Sequence, residues 1–532
     1  MSRAILQVFE DYQKSRLAFV NTVAELAIRP QNIDALYSGG AINLLKTLLL
    51  DPVPAIQQSA ALAIGRLANH SEDIAESVIQ NDIISHLIYS LSSQNRFFKK
   101  ASCYVLRAIS KHSAQLAEDI VNCGAIEPLA NCLEDFDVTV KESAAWVLGY
   151  IAKHNERLAF QVKESKSTLE ALIMCLKESE VSLKRCVTQT LSSIAYHSEE
   201  LAMAISEKGL EIIVKVLNDP DMFLKRNVCQ LIGNISKHSV VLSHLILNAL
   251  GKPAKLLYCL KDPDLAVRKN AAFAILEIVN KSPDNSKVFI DLGGVCAIVD
   301  YISSSEGDFK LYGILALGYL ASHQEHFAKS MFDYQKTLPL LRDILLNESN
   351  QQVKAAVCYT IGNLGKHSTQ HSNLVSSHNF LPLLLMNYQI RDANDNLKQK
   401  SKRALKQIIS CCHNISAMEP LIQAAPKKMI LKILNQFVLC LKSSGTERKQ
   451  FLQRGILQRL LALKKGIRDV IKQTDENNTN DKKENELNYD EEIIKVIDEG
   501  ICPLFPEEIV KYYNIEEIHK KIEELKNEET EQ

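Results

Sequence analysis

Histidines recur at a nearly constant spacing along most of this chain of 532 residues. Consecutive members lie 41 to 44 residues apart once Lys281 is allowed to stand in for one histidine. Arg29 continues the spacing toward the N-terminus, and His413 continues it toward the C-terminus. We call these residues the histidine series: His70, His112, His154, His197, His238, His323 and His367. A period of about 40 residues is typical of stacked α-helical repeats, which present extended binding surfaces rather than catalytic pockets.

Each period contains the pattern of a long amphipathic helix that ends at the histidine series. In the stretch 135–155, apolar residues recur three and four positions apart, as on the buried face of a helix. Lys153 and His154 end this stretch, and serine or asparagine follows the histidine in most periods, as expected for the N-cap of another helix. Closely similar stretches occupy residues 55–71, 97–113, 223–239 and 352–368.

Two shorter helices are predicted between one long helix and the next. A glycine that can end a short helix lies 11 or 12 residues past several members of the spacing, namely at Gly40, Gly124, Gly209 and Gly293. An apolar middle helix then runs to an acidic turn. Three helices per period are typical of armadillo repeats, whereas HEAT repeats have two. We therefore predict an all-α, right-handed armadillo-repeat solenoid of about nine repeats, with irregular caps and a partly disordered C-terminal tail.

The same pattern predicts five segments along the chain. The linker among them is rich in asparagine and charge and nearly free of aliphatic residues, so it cannot bury enough apolar surface to fold. The segments are an N-terminal helical cap (1–29), armadillo repeats (30–413), an irregular C-terminal repeat or cap (414–466), a disordered linker (467–492), and a C-terminal docking segment with a short helix (493–532).

Bulk composition argues against several classes of partner and compartment. The chain has 62 basic and 63 acidic residues, so as a whole it offers no field for nucleic acid or membrane. The first 20 residues lack the apolar core of a secretion signal, and no run approaches 18 apolar residues. The 13 cysteines contain no C-x-x-C pair. We expect them to be small buried thiols in a reducing cytosol.

No catalytic, cofactor-binding or metal-binding residues are predicted. Neighbouring histidines of the series would lie about 10 Å apart, one helix layer each, and cannot share a zinc ion. We expect them instead to donate to free carbonyls at helix C-termini. The phosphate-loop, dinucleotide, zinc-protease and nucleophile-elbow motifs are all missing from the sequence, so we expect a protein that is not an enzyme.

A second series of basic residues lies 13 positions before the histidine spacing. It places a cation near the N-terminal end of each long helix, where the helix dipole disfavours positive charge. Either the acidic turns just upstream neutralise these cations, or they form a strip for an acidic surface such as that of tubulin. We call this candidate partner-binding strip the basic series: Lys99, Lys141, Lys184, Lys225, Arg268, Lys310 and Lys354.

A separate cluster of basic residues lies at 399–406. We interpret it as a solvated helical face rather than a nuclear signal.

Several stretches resemble one family closely. They are ILQVFEDYQKSR (5–16), RPQNI (29–33), QNRFFKKAS (94–102), CLEDFDVTVKESAAWVLGYIAKHN (132–155) and CPLFPEEIVKYY (502–513). They resemble the sperm-associated antigen six family, armadillo proteins of the ciliary and flagellar central apparatus. The resemblance implies a scaffold in the cytoskeleton of the axoneme, needed for central-pair integrity and motility. The implied partners are central-apparatus proteins and tubulin microtubules, with no nucleic acid, membrane or cofactor. The insert at 472–492 departs from the family pattern and suggests a lineage whose flagella are confined to a male gamete.

Two other uses of armadillo repeats remain as alternatives. A nuclear-import adaptor carries paired Trp and Asn four residues apart on the long helices. Here the eight corresponding positions hold a single tryptophan, Trp146, and two asparagines, Asn234 and Asn363, never in the same repeat. A catenin-like cytosolic signalling adaptor would need a continuous basic groove and tails rich in phosphorylation sites, which this sequence does not indicate.

Overall fold

Helices make up the architecture of this chain. A computed structural model describes residues 3–92, 95–165, 167–251, 253–443, 445–475 and 484–513, and no strand occurs among them. The chain divides into two compact units, Met1–Asn285 and Ser286–Gln532. Among the described residues, no helix is long and apolar enough to cross a membrane. The prediction of an all-α armadillo fold is confirmed.

The first unit begins with one long helix and continues with groups of a short, a middle and a long helix. In one group a single helix, α14, replaces the short and middle helices. The elements are α1 (Arg3–Leu26), α2 (Pro30–Ser38), α3 (Ala41–Leu48), α4 (Pro54–Ala68), α5 (Glu72–Gln80), α6 (Ile83–Leu91), α7 (Arg96–Ser110), α8 (Ala114–Asn122), α9 (Ile126–Cys132), α10 (Val138–His154), α11 (Glu156–Glu164), α12 (Thr168–Cys175), α13 (Val181–Ala195), α14 (Glu199–Val216), α15 (Met222–Ser236), α16 (Val240–Leu250), α17 (Ala254–Cys259) and α18 (Leu265–Lys281).

The second unit continues the pattern and ends in an irregular helical cap. Its elements, the first of which spans the unit boundary, are α19 (Pro283–Asp291), α20 (Gly294–Ser303), a 3₁₀ turn (Gly307–Lys310), α21 (Leu311–His323), α22 (Glu325–Asp333), α23 (Thr337–Asn347), α24 (Gln351–Gly365), α25 (Thr369–Ser377), α26 (Phe380–Gln389), α27 (Asp395–Cys411), α28 (Ile415–Met418), α29 (Leu421–Ala424), α30 (Lys427–Ser443), α31 (Gly445–Gln453), α32 (Ile456–Asp475), α33 (Glu484–Lys495), a π-helical turn (Val496–Ile501), a 3₁₀ turn (Cys502–Leu504) and α34 (Glu507–Tyr513).

Side-chain caps define where the helices begin. Ser113 accepts from the backbone N–H of Leu116 at 3.5 Å, and Asn155 accepts from that of Leu158 at 2.9 Å, as predicted for the N-caps of the short helices. The prediction is wrong for Ser198, whose side chain makes no such bond at the start of α14. The acidic turns cap the long helices in the same way. Asp264 accepts from the N–H of Val267 at 2.8 Å. Each cap satisfies an N–H that the helix itself leaves without a partner.

The glycines between short and middle helices do not all act alike. Gly40, Gly124 and Gly293 have φ of 74°, 81° and 75°, the left-handed conformation expected where a helix ends. The prediction for Gly209 is wrong, because this residue lies inside the continuous helix α14. A Cβ there would meet Cδ1 of Ile173 at 2.9 Å, so glycine at this position allows α14 to approach α12 closely.

The core runs between successive long helices. In the first unit α4, α7, α10, α13, α15 and α18 pack one on the next, and in the second α21, α24, α27 and α30 do so. The apolar positions identified from their spacing, Ala144, Leu148 and Ile151 among them, have no exposed surface. This stacking brings residues about one repeat apart in sequence into contact, and it thereby creates the surfaces described below.

The C-terminal region differs from the prediction of a disordered linker at 467–492. Helix α32 extends to Asp475, α33 begins at Glu484, and residues 476–483 lie outside the described part of the chain. The reason is packing, because α33 lies against α30 with Asp490 paired to Lys427 at 2.6 Å. Phe505, in the predicted docking segment, stacks on Phe451 within this unit. The short helix expected at 515–529 falls outside the described residues.

Candidate protein-binding surface

Several members of the histidine series link a long helix to the one before it. The imidazole Nε2 donates to a backbone carbonyl near the C-terminal end of the preceding long helix, so the predicted capping role is correct but acts between repeats. The pairs are His112 with Ala68 (2.8 Å), His154 with Ser110 (2.5 Å), His197 with Ala152 (2.8 Å), His238 with Ala195 (2.8 Å) and His367 with Ala321 (2.6 Å).

These contacts define the protonation of the rings. A carbonyl oxygen only accepts, so Nε2 carries the hydrogen in each pair, and a neutral imidazole suffices. Burial lowers the pKa of His238, and the charges of Lys237 and Lys281 lower it further. Among the described residues, no group of three or more His, Cys, Asp or Glu side chains is arranged to hold a metal ion.

The basic series also joins neighbouring repeats. Five of its lysines reach a carboxylate in the acidic turn of the following repeat, not in the turn just upstream as expected. The pairs are Lys99 with Asp135 (2.8 Å), Lys141 with Glu178 (2.8 Å), Lys184 with Asp219 (3.8 Å), Lys225 with Asp262 (3.5 Å) and Lys310 with Glu348 (3.6 Å). Arg268 and Lys354, the remaining members, are half-buried on α18 and α24.

The burial of these pairs favours the structural interpretation of the basic series. The side chain of Lys141 is only 14% exposed. Burial by itself would raise the pKa of Asp135, but the hydrogen bonds from Lys99 and from the backbone N–H of Asp137, together with the charge of Lys99, lower it overall. A carboxylate held ionised by a half-buried lysine ties two layers together. That the basic series contacts a partner therefore stays a prediction.

The long helices of the first unit form a groove that the sequence analysis did not select as a site. Trp146 and Tyr150 of α10 face Gln189 and Ser193 of α13 around a cavity of 270 Å³. A second cavity, of 210 Å³, shares Gln189 and Ser193 and continues to Asn234 on α15. We call this surface the long-helix groove.

Mixed charge and aromatic surface characterise the long-helix groove. Lys153 is exposed at its edge, and the amine of Lys237 lies 3.3 Å from the ring centroid of Tyr196. Burial lowers the pKa of Lys237. Burial raises the pKa of Glu277 on α18, although Lys281 and Lys237 act in the opposite direction. Aromatic faces, amides and single charges of both signs suit an extended polypeptide better than a uniformly charged ligand.

The two asparagines at import-adaptor positions already have partners within the chain. The amide nitrogen of Asn234 donates to the backbone oxygen and hydroxyl of Ser192, at 3.1 and 2.9 Å. That of Asn363 donates to the carbonyl of Gly318 at 3.2 Å. Both side chains are buried. Their donors connect successive long helices and are not presented to a bound peptide.

Comparison with known proteins agrees with the geometry. The sequence model of the Armadillo/beta-catenin-like repeat matches residues 113–153, which cover α8 to α10. The crystal structure of an engineered protein superposes with a TM-score of 0.66 and 21% sequence identity, over 78% of this chain and 98% of that one. That likeness concerns the fold alone. The chain therefore has the fold of an all-α armadillo-repeat solenoid.

Part of the chain is also similar in sequence to sperm-associated antigen 6 of two mammals. It is 62% identical over 100 residues to Sperm-associated antigen 6 of Homo sapiens and 61% identical over 100 residues to that of Mus musculus. Each alignment covers 19% of this chain and 20% of the relative. The matched stretch thus spans about a fifth of the length of these relatives. Over that stretch the chain is similar to sperm-associated antigen 6.

Proposed function

We propose that this chain is a non-enzymatic scaffold of the flagellar axoneme. It binds proteins of the central apparatus or the central-pair microtubules, and it is needed for central-pair integrity and motility. The observation that carries the proposal is the identity of 62% with sperm-associated antigen 6 over 100 residues. The similar stretches at both ends of the sequence, 5–16 and 502–513, support it.

The stacked repeats suit this role mechanically. In the first unit α10 and α13, and in the second α21 and α24, are joined by an apolar interface, by a histidine–carbonyl hydrogen bond and by a lysine–carboxylate pair. These contacts lie at different points along the helices and resist rotation of one layer on another. A unit held in this way keeps its binding surface in shape when its partners move.

The long-helix groove supplies the contact surface in this proposal. An extended segment of a partner protein places apolar side chains on Trp146 and Tyr150 and hydrogen-bonds to Gln189 and Ser193. The buried thiols do not suggest catalysis, because burial raises the pKa of Cys358 to about 12 and keeps its sulfur protonated. The import-adaptor alternative is disfavoured, because Asn234 and Asn363 donate within the chain.

Detergent extraction of flagellated cells that carry a tagged copy of the endogenous gene tests the proposal. We expect the protein to stay along the axoneme and to be lost from axonemes that lack the central pair. Release into the detergent fraction, or concentration at the nuclear rim, would contradict the scaffold role.

A pair of variants tests the groove itself. Trp146→Ala with Tyr150→Ala removes its aromatic surface, and we expect retention on the axoneme to fall. Tyr89→Ala with Tyr258→Ala is the matched control, because these rings are 82% and 74% exposed and lie outside the groove. Circular dichroism of both purified variants checks that the fold is preserved. Equal retention of the two variants would exclude the groove as the attachment surface.

A further inference from the structure

Four lysines converge on one small cavity in the second unit. Lys402 and Lys406 are one turn apart on α27, and Lys428 and Lys432 are one turn apart on α30. Together with Tyr388 they surround a cavity of about 40 Å³. We call these four residues the lysine cluster. Lys402 and Lys406 are half-buried, whereas Lys428 and Lys432 are exposed at the rim.

The lysine cluster is not neutralised in the way the basic series is. Within the described ranges, none of its four amines forms an ion pair, whereas Lys310 in the same unit pairs with Glu348. Burial lowers the pKa of Lys406, and the charges of Lys432, Lys402 and Lys428 lower it further, with Tyr489 acting in the opposite direction. Like charges one helical turn apart destabilise a helix. An anionic ligand would relieve this repulsion.

The edge of the cluster shows which chemistry it accepts. Helix α33 supplies Asp490, which pairs with Lys427 beside the cluster at 2.6 Å, and Tyr489, whose ring centroid lies 5.7 Å from the amine of Lys428. One acidic segment of polypeptide therefore already lies against this surface.

We propose that the lysine cluster of α27 and α30 is a docking site for an acidic segment of a partner protein. A run of Asp and Glu side chains lies across the two helices, with one carboxylate in the cavity between Lys406 and Tyr388. The cavity is about the size of a single carboxylate, and the four cations lie within one turn on each of two helices, α27 and α30. A nucleic-acid backbone would require them to be spread along a line of phosphates. This site lies outside the long-helix groove and does not depend on the axonemal assignment.

Binding of a fluorescein-labelled peptide of ten glutamates to the full chain, measured by fluorescence anisotropy at low salt, tests the site. We expect saturable binding that weakens as salt is added, since the contacts are charge pairs near the surface. A peptide of ten glutamines should not bind. Lys402→Glu with Lys406→Glu and Lys432→Glu should weaken binding by about tenfold or more. A triple variant that binds as tightly as the unchanged protein would overturn the proposal.

The matched control reverses the same number of charges elsewhere in the unit. Lys329, Lys336 and Lys449 are exposed lysines outside the cluster, and their triple change to glutamate should leave binding within about twofold. Replacing the three cluster lysines by glutamine guards against misfolding, because it removes the repulsion and still removes the site. Preferential binding of a uridine oligonucleotide or of phosphatidylserine vesicles, lost in the same variant, would overturn the choice of an acidic polypeptide.

Discussion

Nε2 of His238 lies 2.8 Å from the carbonyl oxygen of Ala195, the last residue of the long helix one repeat earlier. The hydrogen bond satisfies a carbonyl that α13 leaves without a helical partner, and it joins α15 to α13. The same contact recurs for other members of the histidine series. His238 was expected to cap its own helix, α15, and instead caps the C-terminal end of α13.

Removing this imidazole should weaken the contact between two layers. We expect His238→Ala to lower the free energy of unfolding by about 1–2 kcal/mol, because the hydrogen bond is lost and the Ala195 carbonyl is left without it. Urea denaturation measures the loss, and hydrogen exchange should show faster opening of the last turn of α13. His326→Ala, at an exposed position on α22, is the control and should change neither.

The burial of His238 makes stability depend on pH. The pKa of His238 is lowered by burial from its ordinary value of 6.5, so the unfolded chain binds a proton there more readily than the folded one. The contribution of His238 is therefore present above the unfolded pKa and is lost as pH falls through the folded pKa. The difference in urea midpoint between the unchanged protein and His238→Ala should narrow from about pH 7.5 to about pH 5.5. A difference that widens toward acid would contradict this assignment.

The ion pair between Lys141 and Glu178 should be measurable as an energetic coupling. Lys141→Glu places two carboxylates together and should destabilise the first unit. Adding Glu178→Lys restores the pair with reversed sign and should recover most of the loss. Because Glu178 is 38% exposed, we expect a coupling of only about 0.5–1 kcal/mol from a double-mutant cycle of urea denaturation. Additive effects of the two changes would show that the pair does not stabilise the array.

Glycine inside a long helix should be required where two helices approach closely. A Cβ on Gly362 of α24 would lie 2.9 Å from Cα of Ala404 on α27. We expect Gly362→Ala to cost about 1–3 kcal/mol, although alanine is the better helix former. Gly466 on α32 has open space at its Cβ, so Gly466→Ala should stabilise by up to about 1 kcal/mol. Thermal melting of the two variants should therefore shift in opposite directions.

The thiols should differ sharply in reactivity. Cys123 and Cys296 are exposed, whereas Cys103 and Cys186 are buried and burial raises the pKa of both. A thiol-specific reagent applied to the native protein, with the products mapped by mass spectrometry, should label Cys123 and Cys296 first. The buried thiols should react only after denaturation. Early labelling of Cys186 would show that the interface between α10 and α13 opens in the native state.

A feature can be predicted from the sequence when the residues that form it lie close together in the chain. The candidate site shows what happens when they lie a repeat apart. The basic series was selected because its members repeat, but repetition reflected a repeated internal contact such as that of Lys99 with Asp135. The long-helix groove was missed because its lining changes from repeat to repeat, from Trp146 to Gln189 to Gln230. Conversely, the lysines at 399–406 do lie on a helix as expected, and α30 supplies the other half of their surface.

The sequence by itself determined the repeat period, the three helices per repeat and the residues that cap them, such as Ser113 and Asn155. Helix periodicity and capping depend on residues within about four positions of one another, so they are written locally. Only the tertiary structure decided that His238 reaches Ala195, 43 residues away, and that Gly209 lies inside a helix. Those outcomes depend on the distance and rotation between stacked helices, which side-chain packing across the layers sets and no local pattern contains.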